Sequence, residues 1–135
     1  MRCRLVAAST LVALSAAGCG GSALDVADDP VLFGEGVRPP AIPADFPIPP
    51  DAVIGSTMID RTNHRTEMAL QVGADLESVV RYFNIGLVSQ GFVVGASSGT
   101  DTSWTISFGR DELSGEIGFT AQGDITRVLV EVNDI

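Results

Sequence analysis

The stretch TEMALQVGADLESVVRYFNIGLVSQG, residues 66–91, decides the fold class, because its apolar period changes partway along. From Thr66 to Val72 the period is two. Met68, Leu70 and Val72 fall on one face, and Glu67, Ala69 and Gln71 on the other. A strand half covered by a core has this pattern. Gly73-Ala74 turns the chain. From there Leu76, Val79, Val80, Phe83 and Leu87 recur at three- and four-residue intervals and place one apolar stripe on a helix over about 76–90. Asp75 is suited to cap the helix N-terminus, and Glu77 in the first turn complements its dipole. Gly91 is placed to end it in a left-handed conformation. Tyr82, Ile85 and Val88 lie off the stripe, so the helix is expected to be covered on more than one side.

The rest of the chain repeats the strand pattern. Upstream, Ala52–Asp60 reads as a strand and 61–65 as a polar hairpin loop. Downstream, Phe92–Ala96 reads as a strand and 97–102 as a loop. Trp104, Ile106 and Phe108 then alternate with Thr105, Ser107 and Gly109. Turns at Arg110-Asp111-Glu112 and Gln122-Gly123-Asp124 bracket the alternating Leu113, Gly115, Ile117 and Phe119, and Val128, Val130 and Val132 close the series. Short loops between consecutive strands imply antiparallel neighbours. The expectation is a two-layer α+β domain: about six mainly antiparallel strands, in the order β-β-α-β-β-β-β, with one amphipathic helix across the sheet.

Residues 20–50 read differently. Asp25, Asp28, Asp29 and Glu35 make an acidic start, and six of the seven prolines fall between Pro39 and Pro50. This run cannot form a helix or a central strand, so polyproline-like extension is expected. The segment is read as free to about residue 40 and docked beyond it, with Phe46 and Ile48 packing onto the domain.

Residues 1–19 comprise Arg2 and Arg4, an uncharged apolar run from Leu5 to Ala17, and Gly18-Cys19. The run is too short to span a bilayer as a helix. Ala16-Ala17-Gly18-Cys19 resembles the lipobox of bacterial lipoprotein precursors, with Ala16 where Leu is usual. The resemblance implies removal of residues 1–18, a diacylglycerol thioether on Cys19 Sγ, and anchoring on the extracytoplasmic face of a bacterial cell membrane or outer membrane. The alternative is ordinary secretory cleavage after Ala17 or Gly18, leaving Cys19 as a free thiol. The implied organisation is a signal peptide over 1–18, a lipidated tether and Pro-rich linker over 19–45, and one α+β domain over 46–135. The segment Phe46-Pro47-Ile48-Pro49-Pro50-Asp51-Ala52, with Tyr82-Phe83 and Gly91-Phe92, is similar to small secreted or lipid-anchored bacterial proteins of unassigned function.

Charge and composition exclude several functions. All eight basic residues are Arg, and without Arg2 and Arg4 six remain against seventeen carboxylates, a net charge of about −11. Such a surface repels phosphate backbones, so no nucleic acid is expected as a partner. Both cysteines, Cys3 and Cys19, lie near the N-terminus, so no disulfide is expected in the domain. Gly95-Ala96-Ser97-Ser98-Gly99 matches a nucleophile-elbow pattern, but a helix should follow it and a strand does. The only histidine, His64, lies in a predicted loop without a second soft ligand. Asp111 and Glu112 are adjacent in a turn, and Asp25, Asp28 and Asp29 lack calcium-loop spacing. No catalytic residue, metal or cofactor is therefore expected. Trp104 is read as core by alternation, with a stacking platform as the functional alternative. The expected role is a non-catalytic interaction module of the cell envelope, partnered by an envelope protein or the cell wall. The alternative is a carrier of a small apolar ligand between helix and sheet, lined by Phe83, Leu87, Phe108 and Phe119.

Overall fold

The structure is a computed structural model, and it describes residues 29–134. Seven strands form one fully antiparallel sheet: β1 Val31–Glu35, β2 Val53–Asp60, β3 Arg65–Val72, β4 Val93–Gly99, β5 Ser103–Arg110, β6 Leu113–Gln122 and β7 Ile125–Asn133. Their spatial order is β1-β2-β3-β7-β6-β5-β4. One helix, α1 (Leu76–Ser89), joins β3 to β4. Those strands lie four positions apart, a distance of about 19 Å at the usual strand spacing. The fourteen residues of α1 span about 21 Å, so the helix crosses β7, β6 and β5 in one pass. The α+β class and the two layers are those expected.

Helix α1 forms where its periodicity requires. Leu76, Val79, Val80, Phe83 and Leu87 are its buried residues. The Asp75 carboxylate accepts from the Ser78 backbone N–H. At the C-terminus, Gly91 has φ +83°, its N–H donates to Val88 O, and the Phe92 N–H donates to Leu87 O at 2.9 Å. This is the Schellman arrangement, and Leu87 and Phe92 are both buried beside it.

Four expectations need correction. The sheet has seven strands rather than about six, because Val31–Glu35 pairs with β2 from Val31↔Asp60 to Glu35↔Ser56. Main-chain bonds hold this edge strand, not an apolar stripe, so its sequence looks like tether; Phe33 is 81 % exposed. The folded body therefore begins before residue 46. Second, the proline-rich segment is not an extended rod. Ile42 N–H donates to Pro39 O, Phe46 N–H to Pro43 O and Ala52 N–H to Pro49 O, giving three tight turns. Pro40 and Pro50 hold φ where the second residue of such a turn needs it. Third, Ser97, Ser98 and Gly99 belong to β4, opposite Ile106, Thr105 and Trp104. An irregularity between Val94 and Ser97 breaks the alternation that would have shown this. Fourth, Ile85 and Val88 are 65 % and 63 % exposed, so the outer side of α1 is open.

Residues 36–52 instead form a strap across one flank of the core. Ile42 (2 % exposed) and Phe46 are buried within it. The Phe46 ring meets those of Phe108, Phe92 and Phe83 at 5.5, 5.9 and 6.3 Å between centroids. Pro47 lies against Gly86, where an added Cβ would stand 2.7 Å from Pro47 Cβ. The Tyr82 hydroxyl donates to Ile48 O at 3.0 Å. The expected docking beyond about residue 40 is present: Ile42 and Phe46 are buried, and Ile48 packs against the core.

Candidate functional site

The core fills the space between helix and sheet. Phe83 and Phe119 meet edge to face at 5.4 Å, and with Leu87 and Phe108 they are buried. Phe108 packs against Phe46 and Phe92, so the rings expected to line an apolar ligand cavity are engaged in core contacts. The two largest clefts described lie elsewhere, one on each face of the sheet.

Among the described residues, no helix covers the face of the sheet away from α1. Its groove encloses about 490 Å³. Gly55, Ala69 and Gly118 line it with little side-chain bulk, and Leu129, 45 % exposed, adds an apolar wall. Gln71, Thr120 and Arg127 supply polar groups at its margin. Beside the groove runs a ladder of like charge. Glu131 on β7 pairs in register with Glu67 on β3 and with Glu116 on β6. Like charges directly opposite are destabilising, so this row costs stability. Arg65 offsets one member, at 3.2 Å from Glu67. Farther along the same row, Phe33 on β1 sits opposite Met58.

A second cleft, of about 640 Å³, opens where the N-terminal half of α1 meets the β4–β5 and β6–β7 turns. Trp104, Leu76, Val80 and Ala121 provide its apolar lining, and Asp75, Glu77 and Asp101 its carboxylates. Trp104 shares a face with Ile106 and Phe108, as its position in the alternation requires, yet is only partly buried. Its indole N–H donates to Ser97 Oγ at 2.9 Å, and Asn84 Nδ2 donates to the same oxygen at 3.2 Å. The ring is therefore held from β4 and α1 together.

The remaining candidates stay apart. Ser97 Oγ serves Trp104 and Asn84, and His64 occupies the exposed β2–β3 turn with φ +52°. Four to five strand positions separate those sites, roughly 20 Å, so they cannot form a nucleophile–base pair. Asp111 and Glu112 are exposed in the β5–β6 turn. Among the described residues no group of three or more His, Cys, Asp or Glu side chains could hold a metal ion, and no helix is long and apolar enough to cross a membrane. Cys3, Cys19, Asp25 and Asp28 lie outside the described residues.

A further constellation joins segments remote in sequence. Arg110 grips Asp45 through both guanidinium ends, at 2.7 and 3.0 Å, and donates to Gln90 O at 2.9 Å. Its guanidinium carbon lies 4.1 Å from the Phe92 ring centroid. Arg110 thereby joins the strap, the C-terminal end of α1 and β5. The hydrogen bond from Arg110 holds the Asp45 carboxyl below the usual carboxylate range. In sequence, Arg110 reads as one more polar residue beside a turn; its partners are remote along the chain. No protein-family model matches the chain, and no curated protein or solved structure matches it.

Proposed function

We propose that this is a lipid-anchored extracytoplasmic lipoprotein whose folded body is a non-catalytic protein-interaction module of the cell envelope. The observation that carries the reading is the sheet face that none of the described residues covers with a helix. A shallow groove with an apolar wall at Leu129 lies beside the in-register row Glu67, Glu131 and Glu116. Charge held in register at a cost to stability is what a face complementary to a basic partner would carry. The occupant that fits is a protein segment combining an apolar side chain for the groove with Arg or Lys for the row.

The anchor follows from Ala16-Ala17-Gly18-Cys19 and the apolar run before it. Because β1 starts at Val31, eleven residues lie between Cys19 and the sheet, and their reach is at most about 40 Å. The body would work close to the membrane surface. That shortens the search for a partner to proteins lying on or just above the same bilayer.

A photocrosslinking residue in place of Leu129, introduced in intact cells, tests the reading. One discrete protein adduct is expected from position 129, absent when the same residue replaces Ile85 on the outer side of α1, and reduced by Glu131→Lys. Equal labelling from both positions, or none from position 129, overturns the interaction face. Separately, Cys19→Ser should release the protein from the membrane fraction. A wild-type protein found soluble and without lipid overturns the anchor and leaves the face to be judged by crosslinking.

A further inference from the structure

We propose that the Trp104 cleft binds a small organic cation, a protonated or quaternary amine bearing an apolar body. The site is on the opposite side of the sheet from Leu129, and the inference depends neither on the anchor nor on a protein partner.

The cleft, about 640 Å³, is within the range of small-molecule pockets. Its lining combines an apolar wall with carboxylates and includes no arginine. Trp104 is the only tryptophan in the chain, and its polar edge is already engaged by Ser97 Oγ. The indole has no donor left for a ligand, so what it offers the cleft is its ring. An indole face attracts a cation, by about 0.5–2 kcal/mol depending on desolvation. Because β4 and α1 both fix the ring through Ser97, little side-chain entropy is lost on stacking.

Two other ligand classes fit less well. An anion could be drawn by the N-terminus of α1, which carries about half a positive charge. Against it stand the carboxylates of Asp75 and Asp101, with Glu77 neutralised in part by Arg81 at 3.1 Å. Two carboxylates, one of them hydrogen-bonded to Ser78 as the helix cap, outweigh half a positive charge. The Asp75 carboxylate also already occupies the Ser78 N–H that an anion would seek. A neutral apolar ligand would take water from those carboxylates and return nothing. An amine lets the apolar body meet Leu76, Val80 and Trp104 while the ammonium remains within reach of the acids.

The fluorescence of Trp104 reports occupancy directly, since no other indole contributes. The full chain is titrated with phenethylammonium, phenethyl alcohol and phenylacetate. A saturable change with phenethylammonium is expected, with binding weaker by about tenfold or more for the alcohol and for phenylacetate. Salt should weaken the amine alone. Asp101→Asn, in an exposed turn, should weaken the amine about threefold or more while leaving the alcohol and the thermal melt unchanged. Trp104→Phe, followed through the amide resonances of Thr100 and Ala121, should also weaken it. Phenylacetate binding as tightly as the amine, a non-saturating response, or an Asp101→Asn variant with wild-type affinity overturns the proposal.

Discussion

Replacing Ile42 by Ala separates a strap from a tether. If residues 36–52 belonged to a linker, shortening one of their side chains would leave stability unchanged. In the structure Ile42 is 2 % exposed and belongs to the same cluster as Phe46, Phe83 and Phe108. The substitution removes three carbons from that cluster, about 2.4 kcal/mol at roughly 0.8 kcal/mol per buried methylene. Incomplete collapse of the space adds to this, so about 3 kcal/mol is expected, inside the 2–5 kcal/mol typical of buried Ile→Ala changes. A body of about 100 residues has some 5–15 kcal/mol of stability, so this single side chain accounts for a large share of it. The melting temperature should fall by about 13 °C, at roughly 4–5 °C per kcal/mol. Urea unfolding is the decisive assay, because it separates midpoint from slope. The midpoint should drop while the slope stays the same, showing that the same surface unfolds. Val37→Ala is the internal control. Val37 lies five residues away in the same segment, is 73 % exposed, and should change stability by less than about 0.5 kcal/mol. Equal, near-zero effects from both variants would refute the strap and return the segment to a linker.

Further outcomes follow from other contacts. Gly86→Ala normally strengthens a helix by about 1 kcal/mol. Here the new Cβ would stand 2.7 Å from Pro47 Cβ, and moving a packed ring costs about 1–3 kcal/mol. A net destabilisation in urea is therefore expected, and a gain would show that the strap yields easily. Asp45→Asn should destabilise at neutral pH, since it breaks the two-ended grip of Arg110. The folded Asp45 carboxyl titrates below its unfolded value, so its contribution is present above about pH 4 and is lost as pH falls through the folded value. The wild type and Asp45→Asn should converge in acid; melts between neutral and strongly acidic pH measure this. Glu131→Gln should stabilise by roughly 0.2–1 kcal/mol at low salt, because it removes two in-register repulsions. The gain should disappear in about 1 M salt, and its persistence there would remove repulsion as the cause.

The sequence by itself determined the elements whose burial is periodic along the chain. The stripe Leu76, Val79, Val80, Phe83 and Leu87 needs no partner to be recognised, since helical geometry alone brings those positions to one side. The same holds for Met68, Leu70 and Val72, for Ile117 and Phe119, and for the left-handed Gly91. Together they were enough for the α+β class and for the end of the helix.

Tertiary structure decided what depends on neighbours from distant segments. Strand β1 joins the sheet through main-chain groups that nearly any residue possesses, so Val31–Glu35 carries no distinctive side-chain signal. The prolines signalled irregular backbone, but whether they would extend or fold into turns depended on the pocket that receives Ile42 and Phe46. Arg110 meets Asp45 across a sequence separation of 65 residues, and Glu67, Glu131 and Glu116 line up only because β7 inserts between β3 and β6. Trp104 was legible as an aromatic on the core face, yet its position beside a cleft edged by Asp75, Glu77 and Asp101 depends on where α1 begins above β5 and β6. Periodicity records which side of an element is buried; which residues meet across the sheet depends on strand order and register, and those emerge only when the chain folds.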